Sequence, residues 1–279
     1  MPIKKFVKGR GYISTKKPSS KLWFVFPDIH IPEHDEAAVA CAMQAHSLLK
    51  PDYSLFLGDV LDCGIFSAHN KRTLDELKVQ DYEQIELDPA RNLIDNVQKN
   101  TLIKTWFLGG NHEERIERWA TSGGTVEQSL FGMLNPATTL SRTLDGSKRT
   151  KFEFVPYTKA QGSSYVRIAS DLVAVHGWSW AKHAAQIHLE KSRTQSVVFG
   201  HSHRHQVASS RDPWTGKVIK AFNPGTLSQL SMLYHVGGVP SDWSHGFALI
   251  YVGVNSWTEY CISINNGYCV LPDGTEIKV

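Results

Sequence analysis

Leu22-Trp23-Phe24-Val25-Phe26 is an unbroken apolar run, closed by Pro27 and followed at once by Asp28-Ile29-His30. A short run without polar alternation reads as a strand buried on both faces. Downstream, Asp35 can cap a helix that continues to about Lys50, rich in alanine and closed by Pro51. Tyr53-Ser54-Leu55-Phe56-Leu57 is then a second strand, which completes a βαβ unit. Asp88-Pro89 caps a helix over about 89–100 with Ala90, Leu93, Ile94 and Val97 on one face, and Leu102–Leu108 follows as a third strand. From Phe152 the pattern is strand-rich, with strands expected at 152–156, 164–169, 172–176, 196–199, 217–222, 247–253 and 257–263 and a helix near 181–191. Residues 64–86 are polar and patternless, and 121–150 read as loop and short helix. Helix-bearing strands followed by strand-rich sequence predict an α/β fold, a double β-sheet sandwich flanked by helices. No Pro/Gly-rich linker divides the chain, so 22–279 reads as a single domain behind an arm, 1–21.

Composition narrows the class. At 41% hydrophobic and 20% charged residues over 279 positions, the chain is neither disordered nor collagen-like. Its longest apolar runs, such as Phe247–Val252, fall well short of the roughly 18 residues of a membrane helix, so no membrane partner is expected. The first residues lack the apolar segment of a secretory signal, and Cys41, Cys63, Cys261 and Cys269 form no CxxC pair. A cytoplasmic protein with free thiols is the expectation. The net charge of +3 hides a division: residues 1–21 carry +7 with no acidic residue, which leaves −4 for the rest. Such an arm reads as solvated and partly disordered, and it can supply sequence-independent affinity for nucleic-acid phosphates.

Five segments end or closely follow these strands and carry metal-ligand residue types: Asp28-Ile29-His30, Gly58-Asp59-Val60-Leu61-Asp62, Gly110-Asn111-His112-Glu113, His176-Gly177 and Gly200-His201-Ser202-His203. Singly, each spells an ordinary turn or a core histidine. Together they are a set, because ligands of open α/β sheets gather at the carboxyl ends of strands. Carboxylates, an amide and imidazoles without thiolate suit manganese, iron, zinc or magnesium, and the number of donors favours two ions. A shared carboxylate can hold such ions about 3.5–4 Å apart, the arrangement that clamps the oxygens of an in-line phosphoryl displacement.

In this order the motifs resemble the calcineurin-like metallophosphoesterase superfamily, from Asp28 to about Val252, with Phe222-Asn223-Pro224-Gly225-Thr226 and Gly246-Phe247-Ala248-Leu249 resembling its closing elements. The resemblance implies a divalent-metal-dependent phosphoesterase with two ions, manganese foremost and iron, zinc, magnesium or nickel as alternatives. It implies that Asp28, His30 and His203 bind the first ion, that Asp59 bridges, and that Asn111, His176 and His201 complete the second. A bridging hydroxide would attack phosphorus, His112 would protonate the leaving oxygen, and Asp62 would orient it. The substrate would be a phosphodiester or phosphomonoester, of a nucleic acid or a nucleotide; the oligomeric state is open. A non-catalytic scaffold of the same fold and a protein phosphatase are the alternatives.

Two departures weigh against the protein phosphatase. Those enzymes typically carry glycine after Asp-x-His and a phosphate-clamping arginine after the second motif's last aspartate, where this chain has Ile31 and Cys63. Arg204 and His205, directly after Gly-His-Ser-His, are placed to line the substrate rim. Arg115 and Arg118 fit an ordinary solvated helix face better than a phosphate contact, given Glu114 and Glu117 beside them. Core packing is favoured over base stacking for Trp178 and Trp180, since tryptophans are mostly buried.

Overall fold

The computed structural model describes residues 4–6, 12–14, 20–67, 82–122, 151–157, 164–214, 216–231 and 242–279. Within the arm, β1 (Lys4–Phe6) and β2 (Tyr12–Ser14) pair antiparallel, with Phe6 opposite Tyr12 and Lys5 opposite Ile13. The charge pattern predicts only a solvated segment there. Aromatic and β-branched residues among the lysines suit such a ladder.

The Leu22–Phe26 run lies in β3 (Lys21–Phe26), followed by α1 (Glu36–Leu49), β4 (Tyr53–Phe56), α2 (Asp88–Asn100), β5 (Lys104–Leu108), α3 (Glu114–Ser122) and β6 (Phe152–Val155). Strands β3 to β6 are mutually parallel. Asp35 caps α1 by accepting from Ala38 N at 2.8 Å, and Pro89 sits in the first turn of α2. Then come β7 (Tyr165–Ala169), β8 (Leu172–Val175), α4 (Ala184–Ser192), β9 (Ser196–Phe199), β10 (His205–Arg211), β11 (Val218–Pro224), β12 (Gly246–Val252), β13 (Trp257–Ser263), β14 (Tyr268–Val270) and β15 (Glu276–Lys278). The large sheets have strand orders β13-β12-β3-β4-β5-β6 and β10-β11-β9-β8-β7, while β14 pairs with β15.

Side-chain parity along β3 sets the layers. Phe24 and Phe26 face α1 and α2 in a core with Ala38, Ala42, Ile94 and Val97. Trp23 and Val25, on the opposite face, meet Ile168, Ala174, Val198 and Phe222 of the second sheet. Val175, Val197 and Phe199 cover that sheet's far side against Ala184, Ala185 and Leu189 of α4. The result is helix, sheet, sheet, helix, the predicted sandwich, and it explains why the β3 run shows no polar alternation.

Several boundaries move. The third strand begins at Lys104 rather than Leu102, because Leu102 and Ile103 are exposed and their amides donate to Pro51 O and Asp52 O. Strand β10 is absent from the sequence reading: it is the edge of its sheet, is largely exposed, and so lacks an apolar signature. Within the supposedly patternless stretch, Tyr82–Leu87 forms a wide i→i+5 helical turn ahead of α2. Of the expected loop and short helix at 121–150, 121–122 belong to α3 and the remainder lies outside the described residues. All four cysteines are free, and among the described residues no helix is long and apolar enough to cross a membrane.

Candidate metal centre

Each motif sits where a strand stops. Asp28 and His30 follow β3, Asp59 and Asp62 follow β4, Asn111 and His112 lie between β5 and α3, His176 ends β8, and His201 and His203 join β9 to β10. Both sheets therefore deliver donors to one seam, at the carboxyl ends of their parallel strands. Backbone bonds lace the loops together: Ile29 N and His30 N both donate to Asp59 O at 2.9 Å, and Leu227 N donates to Asp28 O at 2.7 Å. Asn223 braces the Gly200–His203 turn by donating to Gly200 O at 2.8 Å and Ser202 Oγ at 2.9 Å. His30, Asp59, His201 and His203 hold left-handed backbone, with φ of 57°, 49°, 67° and 55°.

Glycine is required at two of these approaches. At Gly58, with φ of +99°, a Cβ would fall 2.6 Å from His176 Nδ1. At Gly110 a Cβ would collide with Asp59 Oδ1.

Three groups of donor atoms converge: Asp28, His30 and His203; His30, Asp59 and His112; and Asp59, His176 and His201. His30 Nε2 lies 3.1 Å from His203 Nε2, and His203 Nε2 lies 3.7 Å from Asp28 Oδ1. Asp59 Oδ2 is 3.2 Å from His176 Nε2 and 3.9 Å from both His30 Nε2 and His112 Nε2. Asn111 Oδ1 joins the His176 side at 2.9 Å from Nε2. All seven expected donors are thus brought together around the Asp59 carboxylate, and Asp28, His30, Asp59, His176 and His203 are buried.

Tautomers follow from the outer contacts. Leu57 O can only accept, so the 2.8 Å contact puts a proton on His176 Nδ1 and aims Nε2 inward. His112 Nδ1 likewise donates to Asp62 O at 2.8 Å, with Asp62 Oδ1 at 3.1 Å, which leaves Nε2 facing the centre. Burial, reinforced by neighbouring imidazoles, pushes His30 and His201 down to about 4, so both are neutral, as metal donors must be. Burial opposes charge on His112, but Asp59 and Asp62 outweigh it and raise its pKa.

His176 is the exception. Burial works against its cation, yet Asp59 and Asp28 prevail and lift its pKa to about 10. A divalent cation at Nε2 competes with that proton. Uptake of Mn²⁺ at pH 7 should therefore release about one proton from this ring, and apparent affinity should rise about tenfold per pH unit over pH 6–8. Calorimetric titration in buffers of differing ionisation enthalpy measures this directly; uptake without proton release would contradict the assignment of His176.

Some neighbours are not those the sequence suggests. Arg115, read as part of a solvated helix face, turns inward: Nη1 donates to Asp62 O at 2.8 Å and Nη2 lies 2.9 Å from His112 Nε2. Only Arg118 keeps the surface role, exposed beside Glu114. Cys63 is buried, as expected of a small core thiol. Glu113 is fully enclosed and accepts from Asp59 N, Leu61 N and Gly110 N at 2.7–3.0 Å, tying the second and third motifs together. Burial and Asp59 raise its pKa to about 7. The sequence places Glu113 in the Gly-Asn-His-Glu motif but gives no sign of the amides it binds. At the rim, Arg204 is engaged by Asp242 at 2.6 Å and Trp180 O at 3.0 Å, and His205 is exposed. Trp178 stacks on His188, whereas Trp180 is 72% exposed, against the expectation of core packing.

The family model for calcineurin-like phosphoesterase matches residues 24–205, which contain every donor named above. No curated protein matches the chain. Among solved structures, Vacuolar Protein Sorting 29 from Cryptosporidium parvum is similar at 14% identity over 93% of this chain and 99% of its own, with a TM-score of 0.49. Vps29 of Chaetomium thermophilum is similar at 15% over 92% and 93%, with a TM-score of 0.45. YfcE, a phosphoesterase from E. coli, is similar at 15% over 86% and 98%, with a TM-score of 0.36.

Proposed function

From the chain's membership of the calcineurin-like phosphoesterase family, we propose that it is a phosphoesterase that hydrolyses a phosphodiester or phosphomonoester with two divalent ions. The observation that carries this reading is the position of Asp59, whose Oδ2 lies within 3.9 Å of imidazoles from both halves of the donor set. The donors fit such ions: carboxylate and amide oxygens and imidazole nitrogens, mostly buried, with outer partners already fixing the His176 ring. His30 and His203 together with Asp28 would hold one ion; His176, His201 and Asn111 the other; Asp59 would be shared. When bound, such ions acidify water and neutralise phosphoryl oxygens.

The chain's own residues do the rest. His112 presents Nε2 to the centre, where it accepts from Arg115 in this structure; once a phosphoryl oxygen draws that guanidinium away, Nε2 carries the proton destined for the leaving oxygen, while Asp62 fixes the ring through Nδ1. Arg115 brings a guanidinium beside that nitrogen, where a phosphoryl oxygen can draw it. It supplies the positive charge that the buried Cys63 cannot. The same reading makes residues 22–279 one catalytic domain, since donors from both sheets are needed. Mn²⁺ is the preferred ion, ahead of Fe, Zn²⁺, Mg²⁺ and Ni²⁺.

The test is a panel of p-nitrophenyl phosphate, its bis-ester, a cyclic nucleotide, and single-stranded and duplex DNA, run after chelation and after adding back each metal. Turnover of at least one ester should vanish on chelation and return with Mn²⁺. Inertness towards the whole panel with a fully metallated protein would favour the non-catalytic scaffold.

A further inference from the structure

Two indoles flank the Gly200–His203 turn. Trp180 stands nearly perpendicular, at 84°, to the His201 ring at 5.6 Å, and Trp243 stands at 71° to His203 at 4.0 Å. The two histidines belong to different donor groups, so each indole marks one side of the Asp59 carboxylate. Trp180 is 72% exposed, and Trp243 lines a cleft of about 930 Å³ together with His34, Ser244 and His245. An indole exposed beside a polar centre, as Trp180 is, and a second at the wall of a cleft, as Trp243 is, invite a flat, partly apolar ligand.

The backbone segments that carry both are held in place. Arg204 Nη1 donates to Trp180 O at 3.0 Å, while its Nε pairs with Asp242, the neighbour of Trp243, at 2.6 Å. Ser244 N donates to His203 O at 3.0 Å, and Ser244 Oγ accepts from His205 N at 2.8 Å. One guanidinium and one serine thus join the two tryptophan-bearing segments to the metal-donor turn. Arg204 acts here as a positioning residue.

We propose that Trp180 and Trp243 form a base clamp, and that the substrate is a single-stranded nucleic acid whose scissile phosphodiester carries a stacked base on each side. The proposal rests on the phosphoesterase reading and names the substrate class of that site. Every base offers a π-face, so such a clamp is tolerant of sequence, whereas duplex bases are already stacked and paired.

The probe is a thymidine hexanucleotide with phosphorothioate linkages, titrated into the metallated full chain while tryptophan fluorescence is followed. Quenching is expected. Trp180→Ala and Trp243→Ala should each weaken binding about ten-fold, and Trp243→Phe should restore most of the loss, which separates stacking from damage to His203. A strand of the same length with abasic sugars should bind about as weakly as the alanine variants. Equal binding of abasic and thymidine strands, or unchanged affinity in both alanine variants, overturns the clamp. Hydrolysis of the same ester panel by the same preparation, the p-nitrophenyl bis-ester included, reports separately on the underlying reading. Turnover without quenching removes the clamp and keeps the phosphoesterase; quenching without any turnover keeps the clamp as a binding site and removes the phosphoesterase.

Discussion

Asp59→Asn should reduce turnover of any ester the chain hydrolyses by about 10³-fold or more, beyond the roughly 10²–10³ that follows loss of a single electrostatic donor. Such a loss is about 4 kcal/mol of transition-state stabilisation. The change preserves shape: an asparagine Oδ1 can still accept from His112 N, a bond now made at 2.8 Å. What it removes is the charge shared by His30, His112 and His176, and with it the main force that holds the His176 proton. Metal content, measured by elemental analysis after gel filtration, should fall from two ions to one or none. Thermal melting should move little, because the backbone bonds from Ile29 and His30 to Asp59 O remain. Turnover like that of the unaltered chain at matched metal would refute a shared carboxylate.

His112→Asn separates proton delivery from metal binding. Removal of a general acid costs about 10²–10⁴-fold, and the loss should concentrate on poor leaving groups. For p-nitrophenol, which departs without help, the expected loss is near the lower limit; for an alkyl or nucleoside oxygen it is near the upper. Metal content should persist through Asp28, His30 and His203 on one side and His176, His201 and Asn111 on the other. The comparison is a plot of log kcat against leaving-group pKa, which should steepen in the variant. Equal slowing across the series would assign His112 to charge stabilisation alone, a role that Arg115, 2.9 Å from its Nε2, could share.

How much of this was legible follows from which residues speak locally. The β3 run announces its own burial, and the five motifs announce their strand ends, because a strand covered on both faces must be apolar while its terminus is free to be polar. Glycines at 58 and 110 spell only turns in the sequence, and the close approaches they permit show once the strands are packed. Arg115 was not, since its helix carries enough neighbouring glutamate to look solvated, and only the packing of α3 against the second motif shows the guanidinium turned inward. Glu113 was named but its office was not: three amides from two loops meet it only once the sheet has formed. Trp243 lies far along the chain from the histidine it contacts, so no spacing rule connects them. The exposed edge strand β10 fails for the opposite reason, having too little burial to leave a pattern.

The left-handed backbone at His30, Asp59, His201 and His203 sets the donor geometry against endurance. Each such residue costs about 1–2 kcal/mol relative to glycine's freedom there, so four together approach the about 5–15 kcal/mol that separates a typical folded domain from its unfolded chain. Divalent cations bound only by the folded form would offset this by mass action, and the chain's heat tolerance would then follow divalent-ion supply. Glycine at any of the four would relax the backbone and remove a donor in the same step. A search for thermostable variants would therefore be drawn first to the positions it must leave alone.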